Sequence, residues 1–261
     1  MPRLPTRTAY DASEGRPSTR PGSGEVDSMA VADDTMVRQA LRACGLFGAA
    51  GDDVLDPIVR VLRIRRFRRG ETVFHQGDPG DALFVMASGS VKVVLPSELG
   101  PEPAIVAILG PGEFFGELAI LDGAPHSATI VAVEPTEALV LHRDAFLGLI
   151  DTDPVLRRAL LASLATEIRR LTGHVEDLHF LDLPGRLASR ILRLAEHEPA
   201  TADGVRIAWP YTQSELAGMI GGSRQSVNRL FADLTDQGLV RLERDHLVVV
   251  DVDRLAATVD R

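Results

Sequence analysis

The sequence predicts an α+β chain: an N-terminal β-roll, a long dimerisation helix and a C-terminal winged helix-turn-helix. Three observations carry this. Seven short β-rich runs lie between residues 61 and 141, separated by Gly, Pro and Asp turns, the pattern of an antiparallel barrel or sandwich. Apolar residues then recur in strict 3-4 spacing from Leu161 to Leu178. Finally, residues 212–234 read as a helix, a glycine turn and a second helix with one polar face. The expected boundaries are a disordered tail over 1–35, the roll over 36–150, the dimer helix over 151–182 and the winged segment over 183–261.

The tail holds four Pro, scattered charges and almost no apolar periodicity. A short helix is expected from Met36 to Phe47 through Val37, Leu41 and Cys44–Leu46. The predicted strands are 61–64, 71–74, 82–86, 90–95, 104–109, 127–132 and 137–141, with turns at Gly77–Gly80, Ser88–Gly89 and Gly110–Gly112. The arginines at 60, 63, 65, 66, 68 and 69 are expected on the solvated face of an edge strand and its turn, not as a nucleic-acid stripe.

The dimer helix is expected from Pro154 to Leu181, about 40 Å at 1.5 Å per residue, too long for one small barrel to cover. Its first heptad positions are Leu161, Ile168 and Val175, and its fourth are Leu164, Leu171 and Leu178. That choice favours a parallel two-stranded coiled coil, hence a homodimer. Asp182-Leu-Pro-Gly185 breaks the helix and serves as the hinge, with Asp182 able to cap the helix over Arg186–His197.

Thr212-Gln-Ser-Glu215 is a capping box opening a helix through Leu216, Ala217, Met219 and Ile220. Gly221-Gly222 supplies the turn, and Ser223 caps a second helix from Arg224 to Leu234. Its inner face is Val227, Leu230, Phe231 and Leu234; its outer face is Arg224, Gln225, Asn228 and Arg229. Arginine can bond guanine O6 and N7 together and glutamine can bond adenine in the same way, while Ser223 and Ser226 are short enough to reach phosphate. The runs 238–242 and 246–250, with a turn at Arg244-Asp245, form the wing. The expected partner is palindromic double-stranded DNA.

Composition bounds the alternatives. The 261 residues are 45% hydrophobic and 25% charged, as in ordinary globular proteins. No stretch approaches the roughly 20 apolar residues of a membrane helix, and no apolar h-region follows the first arginines, so a cytoplasmic protein without membrane contact is expected. One cysteine, Cys44, excludes a disulfide framework and any cluster of thiolates. The net charge of −9 divides into −2, −4, −2 and −1 over the four segments, so DNA contact must rest on a few placed arginines. Lys92 is the one lysine among 28 basic residues. No Ser-His-Asp spacing, P-loop or metal signature suggests an enzyme, and no metal site is expected; His75 lies in a strand-end turn, and His174 and His179 are five apart.

The motifs Gly112-Glu-Phe-Phe-Gly-Glu-Leu-Ala119, Phe180-Leu-Asp-Leu-Pro-Gly-Arg186 and Gly222-Ser-Arg-Gln-Ser-Val-Asn-Arg229 resemble the cyclic AMP receptor protein superfamily over roughly residues 36–255. The resemblance implies a ligand-sensing roll that controls DNA affinity, with RNA polymerase as a further partner. It implies that Gly116 and Glu117 hold a ribose beside Leu118, that Ser127 and the Ala128 amide meet a cyclic phosphate, and that adenine meets the dimer helix near Thr172, from the same chain or from the partner subunit. Cyclic AMP or another cyclic nucleotide is the implied ligand. The departure is His126, where the family's nucleotide binders carry arginine: an unperturbed histidine is mostly neutral at pH 7 and cannot form a fork-shaped ion pair. Leu171 and Gly173 also depart. The alternative is a regulator of the same fold that binds DNA without a cyclic nucleotide. In the recognition helix, Gln225 stands where the family has glutamate, which implies a half-site changed at one position.

Overall fold

A computed structural model describes residues 34–96, 103–196, 198–201, 203–209, 211–244 and 246–259. The tail expected over 1–35 therefore lies outside the described residues except for Asp34 and Thr35, which form the first turn of α1 (Asp34–Ala43). A second helix, α2 (Asp52–Val61), follows and buries Leu55 and Ile58. Asp52 and Asp53 in its first turn complement the positive helix end. The strand expected over 61–64 is present but starts two residues later, at Arg63, because this helix runs through Val61. Pro57 sits inside the helix and hides it from a propensity reading, because proline normally ends a helix.

The roll comprises β1 (Arg63–Phe67), β2 (Thr72–Phe74), β3 (Ala82–Ser88), β4 (Val91–Leu95), β5 (Ala104–Leu109), β6 (Phe114–Phe115), β7 (Thr129–Ala132) and β8 (Thr136–His142). They form two antiparallel sheets, ordered β1-β8-β3-β6 and β2-β7-β4-β5. Phe67, Phe84, Met86, Val91, Phe115 and Ile130 belong to one buried cluster drawn from both sheets. β1 is an edge strand with Arg63, Arg65 and Arg66 exposed and Phe67 buried, which explains the arginine run. Arg60 belongs to α2 instead. A short helix, α3 (Glu117–Asp122), connects β6 to β7.

After β8, α4 (Arg143–Thr152) leads to α5 (Pro154–Phe180). Asp153 caps α5 by accepting from the amides of Val155 and Leu156, and Pro154 occupies the first turn, where its missing N–H costs nothing. Only Leu156 and Leu160 of this 27-residue helix are buried. Leu161, Ile168, Leu171, Val175 and Leu178 remain exposed. Leu181 and Asp182 are extended, and the Asp182 carboxylate accepts from Gly185 N at 2.9 Å to start α6 (Leu183–Ala195). Gly173 lies mid-helix, and a Cβ there would meet nothing nearer than an Arg193 nitrogen at 3.9 Å. Gly173→Ala is therefore expected to raise folding stability by about 0.5–1 kcal/mol in urea denaturation.

The remaining elements are β9 (Ala200–Thr201), β10 (Gly204–Ala208), α7 (Gln213–Ile220), α8 (Arg224–Asp236), β11 (Val240–Leu242), β12 (His246–Val249) and α9 (Val252–Ala256). The sheet order β11-β12-β10-β9 places the wing hairpin beside strands that periodicity does not reveal. α7 docks against the roll. Gly218 faces β5 so closely that a Cβ would strike the Pro103 carbonyl, and Val94 and Ile105 share the buried cluster of Leu187, Leu216 and Met219. Lys92 Nζ meets Glu215 Oε1 at 2.6 Å across this junction. Burial alone would raise the Glu215 carboxyl, but hydrogen bonds from Lys92 and Thr212 outweigh it and hold it below the usual range.

Candidate functional site

Two groups of residues carry the chemistry. The first is the α7–turn–α8 unit. Thr212 Oγ1 accepts from Glu215 N at 3.2 Å while Glu215 Oε2 accepts from Thr212 N at 2.9 Å, completing the capping box. Gly221 ends α7 at φ 68°, a left-handed conformation, and the chain turns into α8. Ser223 Oγ caps α8 by accepting from Ser226 N at 3.1 Å, and the two serine hydroxyls lie 2.9 Å apart. Both serines thus serve the cap, so phosphate contact from their hydroxyls competes with it.

Val227, Phe231 and Leu234 fix the inner face of α8, leaving Arg224, Gln225, Asn228 and Arg229 exposed on the outer one. Among the described residues, neither Arg224 nor Arg229 forms an ion pair, so both forks are available to a groove. In the neighbouring strands, Arg206 and Arg241 share Glu243 at 3.1 and 3.5 Å.

The second group lies in the roll. Gly116, at φ 92°, precedes α3, and a Cβ there would meet the Ala82 carbonyl at 2.6 Å, so only glycine allows this approach. Glu117 opens α3 with its carboxyl pushed up from 4.5 to about 7 by burial, reinforced by Glu167 of α5 and opposed by its own amide. Glu113 is also raised by burial, against a hydrogen bond from Gly110 N at 2.7 Å. Leu118 is exposed.

His126 is buried, and its ring stacks on Phe74 with centroids 3.5 Å apart. Its backbone pairs with the turn, donating to the Asp78 carbonyl and accepting from Gly77 N, both at 2.9 Å. Burial lowers its pKa against the pull of Asp78 and Asp81, so the ring is neutral at pH 7. Ser127 is exposed and Ala128 buried. A Cβ on Gly80 would touch both Ala119 and His126, so the structure brings Ala119 of α3 and the His126 ring to one place. Thr172 is exposed on α5, and within its own chain its hydroxyl donates to the Ile168 carbonyl at 3.0 Å. The α5 residues whose charges reach the glutamates are Glu167 and Arg170, which sequence reading missed because neither belongs to a motif.

Glu117 gives a pH prediction. Its folded pKa lies above its unfolded value, so its burial is harmless below pH 4.5, where both states hold the proton. Burial becomes destabilising as pH rises from 4.5 to 7 and stays so above. Glu117→Gln is expected to match the parent at pH 4.5 and exceed it at pH 8 by roughly 3 kcal/mol at most, from 1.36 kcal/mol per unit, read as urea midpoints without ligand. A pH-independent difference would contradict the buried-carboxylate account.

Comparison with known proteins places these two groups in a common setting. Residues 64–153 match the cyclic nucleotide-binding domain family, and residues 185–258 match the Crp-like helix-turn-helix domain family. The chain is 34% identical over 219 residues to the CRP-like cAMP-activated global transcriptional regulator of Mycobacterium tuberculosis, covering 84% of this chain and 97% of that protein. It is 34% identical over 202 residues to the cyclic AMP receptor protein of Thermus thermophilus, covering 77% and 90%. FixK2 from Bradyrhizobium japonicum shares the fold at TM-score 0.67 and 22% identity, covering 76% and 97%. A CRP-family transcriptional regulator from Thermus thermophilus superposes at TM-score 0.62 and 25% identity, with the same coverage. A sensing roll, a long helix and an arginine-tipped helix-turn-helix in this order, with relatives matched over nearly their whole length, make this chain a member of the CRP family of DNA-binding transcription regulators.

Proposed function

We propose that the chain acts as a homodimer whose affinity for a palindromic operator is set by a cyclic nucleotide in the roll. The supporting observation is the approach of Ala119, in the short helix that Gly116 and Glu117 open, to His126, the residue before Ser127 and Ala128: a carboxylate for a sugar hydroxyl, and a hydroxyl and amide for an anion, are the groups these two segments offer. Relatives named for cyclic AMP support the ligand class. Paired α8 helices would enter successive major grooves ~34 Å apart. Ligand bound beside α5 would bias the break at residues 181–182, an equilibrium shift between arrangements and not a new DNA contact. The chain would work in the cytoplasm with RNA polymerase and catalyse no reaction.

His126 supplies the test. A neutral stacked ring gives the cyclic phosphate no permanent cation, so cyclic AMP binding should be weak, and His126→Arg should tighten it about 10- to 100-fold, the worth of one charge-assisted contact. Calorimetry with cyclic AMP, cyclic GMP and cyclic di-GMP reads this directly. No heat from any of them, with parent or variant, would overturn the nucleotide reading and leave a regulator that binds DNA without one.

A further inference from the structure

One cavity lies away from the Gly116–Ala128 region of the roll. About 220 Å³ opens between β5, α5, α6 and the end of α7. Its wall carries the guanidinium groups of Arg170, Arg186, Arg190 and Arg193 together with His174, and its one acid is Asp177. Ile105, Met219 and Ile220 supply an apolar side.

The charges in this wall do not close. Asp177 is taken by Arg193 and also accepts from the Ser189 hydroxyl at 3.4 Å. Arg170 is held by Glu167 through two hydrogen bonds, at 2.8 and 2.6 Å, and donates to the Val106 carbonyl at 2.6 Å. Arg186 donates to the Ile220 carbonyl at 2.8 Å, but its Nε is buried with no acceptor. Arg190 donates to nothing among the described residues, and its Nε is also buried. Burial, with Arg170 and Arg193 nearby, lowers the Arg190 pKa against the opposing influence of Tyr211, and burial together with the same three arginines lowers that of His174 against the pull of Asp177. A buried N–H without an acceptor is costly, and clustered like charges without counter-charges repel one another.

We propose that this cavity is a second ligand site, separate from the roll pocket, that takes the phosphate group of a small phosphorylated molecule. Guanidinium forks suit phosphate oxygens, and the lining sets four arginines against one acid, with Arg190 donating to nothing among the described residues. The volume leaves room for a small organic body against Ile105 and Met219. Its walls belong to the roll, the long helix and the C-terminal segment, so the anion would link all three and favour the docked arrangement. This reading stands whether or not the roll binds a cyclic nucleotide.

The test uses the full chain in phosphate- and sulfate-free buffer at low ionic strength. Inorganic phosphate, pyrophosphate and adenosine 5′-monophosphate are the probes, read by calorimetry and thermal melting. At least one is expected to bind once per chain and raise the melting temperature. Arg190→Gln should weaken it at least tenfold, while Arg63→Gln, which removes an exposed charge on β1 outside the cavity, should leave it unchanged. His174→Glu, which places a carboxylate among the arginines, should abolish probe binding and raise the ligand-free melting temperature. That second variant decides the matter should Arg190→Gln not fold. Absence of binding by all three probes, binding unaffected by both cavity variants, or binding weakened as much by Arg63→Gln would each overturn the proposal.

Discussion

Arg224→Ala combined with Arg229→Ala is expected to remove sequence-specific DNA binding while leaving the fold intact. Both side chains are exposed on α8 and unpaired among the described residues, so their loss should change stability by no more than about 0.5 kcal/mol. A bidentate arginine–guanine pair contributes about 1–3 kcal/mol of discrimination. Losing two per half-site therefore costs about 2–6 kcal/mol, roughly thirtyfold to more than ten-thousandfold in affinity. Fluorescence anisotropy on a duplex selected from random palindromes measures it. Binding within threefold of the parent would remove α8 from the role assigned to it. Gln225→Glu refines the test: an acceptor-only side chain should exchange a preference for adenine at one position for cytosine, without general loss of affinity.

The parts of this molecule that sequence reveals are those whose physics is local. The capping box is set by residues three apart, and the glycine turn by a backbone angle only glycine adopts cheaply, so α7 and α8 are legible residue by residue. The 3-4 repeat of α5 is a one-dimensional pattern as well. Short elements escape. β6 has two residues and α3 six, too few for any period to register, although both lie inside the motif that carries the family resemblance. In α2, Pro57 argues against the helix that tertiary packing of Leu55 and Ile58 enforces.

The junction between roll and C-terminal segment was wholly invisible. Lys92 and Glu215 are 123 residues apart, and Arg170 reaches the Val106 carbonyl across 64. Glu215 was legible as a cap but not as half of an ion pair. At the roll edge, the substitution at His126 could be read as a lost cation; its stacking on Phe74, which buries the ring, could not. Thr172 shows the converse limit. Its hydroxyl is a plausible nucleotide contact by position, yet within one chain it bonds its own helix.

Val175→Arg is expected to convert a dimer into a monomer. Along α5, Leu161, Ile168 and Val175 are 62%, 64% and 63% exposed, a continuous apolar seam that one chain leaves in water. A partner helix in parallel register would cover it, each buried aliphatic side chain contributing about 1.5–3 kcal/mol. An arginine at a seam position meets its own symmetry mate, so the pair loses that burial twice and gains like-charge repulsion. Light scattering after size exclusion should show the parent at twice the chain mass at micromolar concentration and the variant at one. Arg169→Gln, one position beyond Ile168 and away from the seam, should remain dimeric. DNA binding provides the second readout: a monomer engages one half-site and forfeits the linked second contact, so operator affinity should fall about 10²- to 10⁴-fold although every side chain on α8 is unchanged. A parent that is monomeric at these concentrations would leave the seam without a partner and the paired-helix account of DNA binding without its geometry.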